Sequence, residues 1–134
     1  MGKIIALKGR AESGKSTTIG MLPSILATNG YTLLAGSRKV YGKDFLEIYT
    51  KGKLKLGITS AGDSYDLVHD RLDTLVAAKC DDIICACRTY GGTHAAIATF
   101  TTYKILYIPK TYAASAAQQR TVNTIDANAV FAAL

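Results

Sequence analysis

The residues best suited to chemistry stand near the start of the chain, in the run Gly9-Arg10-Ala11-Glu12-Ser13-Gly14-Lys15-Ser16-Thr17. Glycines at both ends of a short loop let it turn successive backbone N–H groups inward, because a residue without Cβ enters conformations closed to others. Inward N–H groups form a cradle for an anion. Lys15 adds a cation that reaches the β- and γ-phosphates of a nucleoside triphosphate. Ser16 offers a hydroxyl to Mg²⁺, and Thr17 stands near the α-phosphate. Gly9, Arg10, Ala11, Glu12, Ser13 and Gly14 form the cradle itself. Arg10 either covers the triphosphate or is solvated. Glu12 either faces the γ-phosphate or a water, or turns to solvent.

Such a loop works only between a strand and a helix, and the flanking residues predict both. Residues 3–8 read as a buried strand. Residues 15–28 read as a helix with Ile19, Leu22, Ile25 and Leu26 at helical spacing, a stop at Asn29-Gly30 and a kink at Pro23. The start of that helix adds partial positive charge to the loop. Residues 31–40 read as a strand. Residues 45–50 and 54–60 read as a hairpin on Lys51-Gly52-Lys53; a turn centred on Gly52 sets Thr50 against Leu54 and Asp44 against Ser60. A helix over 65–79 follows, capped by Asp63 or Ser64. Then come a strand over 82–88, a helix over 93–102, a strand over 103–108 ended by Pro109, and a helix over 115–134 carrying Val122, Ile125, Val130, Phe131 and Leu134. The alternation predicts a three-layer α/β fold whose sheet is mainly parallel with an antiparallel hairpin.

Residues 3–28 resemble the first strand, Walker A loop and first helix of the P-loop nucleoside triphosphatases. The Ser-Gly-Lys-Ser-Thr form at 13–17 is similar to kinase-type and transporter-type ATPases. Gly-Ile-Thr-Ser-Ala-Gly-Asp at 57–63 and Cys-Arg-Thr at 87–89 resemble small bacterial or phage P-loop proteins that are often called ATPases without a known substrate. The resemblance implies a P-loop NTPase-like fold with ATP and Mg²⁺, and no particular reaction. The Asn-Lys-x-Asp guanine motif is missing, which favours ATP over GTP, and no Leu-Ser-Gly-Gly-Gln signature is present.

The second acidic motif departs from the family pattern, because the strand runs on through Thr59-Ser60-Ala61-Gly62 before it reaches Asp63. Asp63 is the first choice for the Mg²⁺-side carboxylate, through a metal-bound water; its other reading is a helix cap. Asp44 is the alternative, and its other reading is a turn residue. Thr59 or Ser60 is placed to sense the γ-phosphate. Arg88, just past an apolar strand, joins Lys15 and Asp63 as a catalytic candidate, since ligands of open α/β sheets bind at the carboxyl ends of strands. Thr89, Lys110 and Thr111 belong to the same end.

The remaining composition narrows the classes. The 134 residues make one domain, 1–134, with sixteen Lys+Arg against ten Asp+Glu, a net charge of +6. No apolar run approaches the roughly 20 residues that span a bilayer, and no leader segment is legible, so the expected address is the cytoplasm, away from a membrane. Three cysteines exclude a disulfide framework, and Cys85 and Cys87 share one face of a strand. His69 is expected in solvent, and His94 at a helix start. The expectation is an ATP-binding protein with Mg²⁺-dependent nucleoside triphosphate hydrolysis. The alternatives are a kinase-like phosphotransferase with a small-molecule acceptor near Arg88 and Lys110, or an ATP-dependent switch that binds a protein or nucleic acid. A homodimer with Arg88 or Arg120 supplied in trans is a further arrangement.

Overall fold

Strand β1 (Lys3–Lys8) carries Ile4, Ile5, Ala6 and Leu7 in succession, all fully buried. A strand apolar on both faces must lie inside a sheet covered on both sides. In the computed structural model, which describes residues 2–10, 13–61, 64–89 and 91–134, it does. Strand β6 (Asp82–Cys87) pairs parallel along one edge of β1, and β7 (Lys104–Pro109) along the other. The seven-stranded sheet also contains β2 (Thr32–Leu33), β3 (Lys39–Tyr41), β4 (Asp44–Lys51) and β5 (Leu54–Thr59), in the order β2-β4-β5-β6-β1-β7 with β3 also on β4. Strands β5, β6, β1 and β7 are parallel, and β4 runs antiparallel to β5.

Helices cover both faces. On one side Ile19 of α1 (Lys15–Gly20), Leu22 and Leu26 of α2 (Leu22–Thr28) and Val130 of α5 (Ala116–Ala132) pack on Ile5, Leu7, Leu56 and Ile58. On the other, Val68, Leu72 and Leu75 of α3 (Tyr65–Ala77) and Ile97 of α4 (Gly92–Ala98) pack on Ile4, Ala6, Ile83 and Cys85. Right-handed crossovers require this arrangement. The chain leaves β1 toward the β4 edge across one face, then returns through α3 and α4 across the other. The connections after β1 and β6 thus diverge to opposite faces, which opens a crevice at the carboxyl ends of these two neighbours.

Several expected elements take a different form. The helix expected over 15–28 is two helices, broken at Met21. Pro23 has no N–H to offer Ile19, so the second helix starts afresh with the proline in its first turn, where no donor is needed. The strand expected over 31–40 is two short pieces. Between them the Ser37 hydroxyl accepts from the Ile48 N–H at 3.1 Å and donates to the Ile48 carbonyl at 3.2 Å, filling the gap in the ladder. The hairpin turns on two residues, Gly52-Lys53, with Gly52 at φ 60°, so Lys51 faces Leu54 and the register lies one residue from the expected one. Two-residue turns of this kind match the twist of the strands they join. The helix expected over 93–102 stops at Ala98. His69 is half-buried between the rings of Tyr65 and Phe100, not in solvent, because α3 and α4 pack together there. The Ser64 hydroxyl caps α3 by accepting from the Leu67 N–H at 3.3 Å.

Helix α3 ends in a paired motif: the Cys80 N–H donates to Leu75 O at 3.2 Å and the Lys79 N–H to Val76 O at 2.9 Å. This motif needs a left-handed residue, and Lys79 supplies it at φ 64° where glycine is usual. Lys79→Gly should therefore raise stability by about 1 kcal/mol in a denaturant titration. Gly57 is the opposite case. A Cβ there would lie 2.6 Å from Leu75 Cδ2 and 3.0 Å from Cys80 Sγ, both in the core. Gly57→Ala should cost about 1–3 kcal/mol by the same measurement.

Candidate functional site

The carboxyl ends of β6, β1 and β7 set Arg88, Gly9 and Lys110 side by side. The Gly9 N–H donates to Cys87 O at 3.0 Å, and the Lys110 N–H donates to Lys8 O at 2.7 Å. Gly9 has no room for a side chain: a Cβ would meet Lys110 Cβ and Ser13 Oγ, each at 2.8 Å. Gly14 caps α1 in the left-handed region, φ 93°, and a Cβ there would lie 2.9 Å from Asn123 Oδ1. The loop between them is closed by Lys15, whose Nζ donates to the carbonyls of Gly9 and Arg10, both at 2.7 Å. Lys15 is buried, while Ser16 and Thr17, on the first turn of α1, are both exposed. The Ser13 hydroxyl is buried with no hydrogen-bond partner. An orphaned hydroxyl, two crowded glycines and a buried ammonium within one turn of chain suit an anion. Helix α1 is only six residues long, so the cation at this loop is the Lys15 ammonium and not the end of a long helix.

Beside the loop lies a cleft of about 540 Å³ between α1 and α5, lined by Ser13 to Thr17 on one wall and by Tyr112, Gln119, Arg120 and Asn123 on the other. It opens on the α1–α5 face, next to the β1–β6 crevice. Its outer wall is held by a buried ion pair. Lys110 Nζ lies 3.0 Å from Asp126 Oδ2, with the side chains 0% and 6% exposed. Asp126 also accepts from the Thr111 N–H at 2.8 Å and the Thr111 hydroxyl at 3.0 Å. Lys110 completes its bonding on the Thr111 carbonyl at 2.7 Å. Lys110 and Thr111, expected among the ligand contacts, are thus engaged in fixing the segment that carries Tyr112. Arg10 stacks on that ring, its guanidinium 3.8 Å from the centroid.

The other candidates divide. Arg88 is exposed at the β6 end, one strand from Gly9, and its backbone N–H donates to Thr93 Oγ1 at 2.8 Å. His94 stacks on Tyr107 with ring centroids 4.6 Å apart. Ala11, Glu12 and Asp63 lie outside the described residues. Asp44 stands at the same sheet end, but it accepts from the Ser60 hydroxyl at 3.2 Å, and that hydroxyl also accepts from the Phe45 N–H at 3.0 Å. Strand β4 is three strand spacings from β1, roughly 14 Å, which is more than a carboxylate and a metal–oxygen bond of about 2.1 Å can bridge to Ser16. Cys85 and Cys87 sit in the α3–α4 core; burial pushes the Cys87 thiol up to about 11 despite Lys8 and Lys15, and Cys85 higher still. Neutral thiols are poor nucleophiles and poor metal ligands. Among the described residues no three His, Cys, Asp or Glu side chains group to hold a metal. Mg²⁺ at a phosphate site asks for less, one or two protein oxygens with the rest from phosphate and water.

Sequence reasoning missed Tyr112, Gln119, Asn123 and Asp126. A signal existed for two of them: Asn123, Asp126, Ala127 and Val130 recur at helical spacing and form the buried stripe of α5, whereas the expected Ile125 is 60% exposed. The apolar template finds Val130, Phe131 and Leu134, which lie in or against the core, but it misplaces Ile125 and passes over the buried polar residues of the stripe. No protein-family model, curated protein or solved structure matches the chain, and among the described residues no helix is long and apolar enough to cross a membrane.

Removing the Asp126 carboxylate would leave the Lys110 ammonium buried without its counter-charge. Asp126→Ala is expected to cost about 3–5 kcal/mol in chemical unfolding. A surface change such as Asp73→Ala should stay within about 0.5 kcal/mol.

Proposed function

We propose that the chain binds a nucleoside triphosphate, ATP, on the loop from Gly9 to Thr17, as a P-loop NTPase-like protein with Mg²⁺-dependent hydrolysis. The observation that carries this reading is the Lys15 ammonium drawn back across its own loop onto the Gly9 and Arg10 carbonyls, which holds a buried cation near the buried, partnerless Ser13 hydroxyl. A bound phosphate would exchange those carbonyl bonds of Lys15 for charge-assisted bonds to its own oxygens. Lys15 then bridges the β- and γ-phosphate oxygens. The Ser13 hydroxyl gains the partner it lacks. Arg88, one strand away, faces the γ-phosphate side. Ser16 and, through a water, Asp63 are the residues that would hold Mg²⁺. When bound, that ion neutralises charge developing on the β- and γ-oxygens. The acceptor-transfer alternative loses Lys110, whose ammonium is committed to Asp126.

Calorimetric titration with ATP, with and without Mg²⁺, and phosphate release from the same samples test the proposal. Lys15→Met keeps the length of the side chain and removes its charge. It should weaken ATP binding by roughly 10- to 100-fold, the worth of a charge-assisted hydrogen bond in a buried site. Equal affinity in wild type and Lys15→Met would remove the site. ATP bound without phosphate release would turn the reading from hydrolase to switch.

A further inference from the structure

We propose that the cleft between α1 and α5 is a nucleoside pocket selective for a 6-aminopurine over a 6-oxopurine, with Tyr112 as the stacking wall and Gln119 as the reader of the base edge. The inference rests on the phosphate site above and concerns what lies beyond its α-phosphate end.

Continuity comes first. The residues that form the loop, Ser13 to Thr17, are also one wall of the cleft, so a molecule whose phosphates lie on the loop extends into it. At about 540 Å³ the cleft falls within the roughly 300–1,000 Å³ of small-molecule sites. Its surfaces are divided as a nucleoside requires: Met21, Ala113 and Ala116 are apolar, Tyr112 offers a ring, and Gln119 and Arg120 offer polar groups. Tyr112 is 56% exposed, an unusual place for an aromatic that serves no core. The buried Lys110–Asp126–Thr111 bonds hold its backbone, and the Arg10 guanidinium holds its ring.

Selectivity follows from one hydrogen bond. Gln119 Nε2 donates to the Ala113 carbonyl at 3.1 Å. A carbonyl only accepts, so the amide nitrogen is the end committed there and Oε1 is the end left to the cleft. That oxygen can only accept. It matches the 6-amino group of adenine and opposes the 6-oxo group of guanine or hypoxanthine. Arg120, with donors alone, suits ribose hydroxyls or the α-phosphate.

The test compares ATP, inosine triphosphate and inorganic tripolyphosphate by calorimetry on wild type, Tyr112→Ala, Tyr112→Phe and Gln119→Ala. The pocket predicts that ATP binds more tightly than tripolyphosphate and at least about tenfold more tightly than inosine triphosphate. Tyr112→Ala should weaken ATP about 5- to 150-fold, the worth of one stacked base, and leave tripolyphosphate unchanged. Tyr112→Phe should restore ATP binding, and Gln119→Ala should bring ATP and inosine triphosphate together. Both positions are exposed, so the variants should fold. Tripolyphosphate bound as well as ATP, with Tyr112→Ala silent, would overturn the nucleoside pocket and leave the phosphate site standing. ATP and inosine triphosphate bound equally by wild type would overturn the role of Gln119. Binding of neither ATP nor tripolyphosphate would overturn the phosphate site and the pocket together.

Discussion

Strand β1 has no exposed face and no free edge. Its four central side chains are fully buried, and β6 and β7 pair with it along its length. With both edges of the strand paired, the chain can do something irregular only where the strand ends, just before Gly9. The loop therefore emerges from the most constrained part of the sheet, and its anchoring end inherits that rigidity. The Gly9 N–H continues the β6 pairing onto Cys87, and the Lys110 N–H continues the β7 pairing onto Lys8.

The same close packing explains why the glycines stand where they do. Gly9 faces Lys110, and Gly14 faces Asn123, each with space for a hydrogen and not for a methyl group. Helix α5 and the end of β7 thus press on the loop from one side. The buried pair Lys110–Asp126, completed by Thr111, locks that side in place. Buried charges of this kind add little net stability over apolar residues, but they are intolerant of misplacement, since each unsatisfied partner is costly in a low dielectric. Their effect here is to define where the segment carrying Tyr112 lies relative to the loop.

The antiparallel edge is built differently. Strands β2 and β3 are short and interrupted, and a serine hydroxyl stands in for a missing backbone partner. Short, broken edge strands protect a sheet from pairing with other chains. Asp44, at the start of β4, accepts from the Ser60 hydroxyl just past the end of neighbouring β5.

The amino-acid sequence by itself determined the features that depend on neighbours along the chain. The placing of residues 9–17 between a strand and a helix, the two-sided burial of β1 and β6, and a capped start of α3 at Asp63 or Ser64 all follow from local hydrogen bonding and side-chain period. These are interactions within a few residues, and their energetics are written in the spacing. The tertiary structure alone decided the hairpin register, the burial of Asn123 and Asp126 on α5, and the meeting of Lys110 with Asp126 and of Arg10 with Tyr112. Each of these depends on how a helix is rotated, how strands slide or how distant segments close together. That choice is made by packing across the whole core, where a polar stripe buried against a partner can outweigh an apolar stripe left without one.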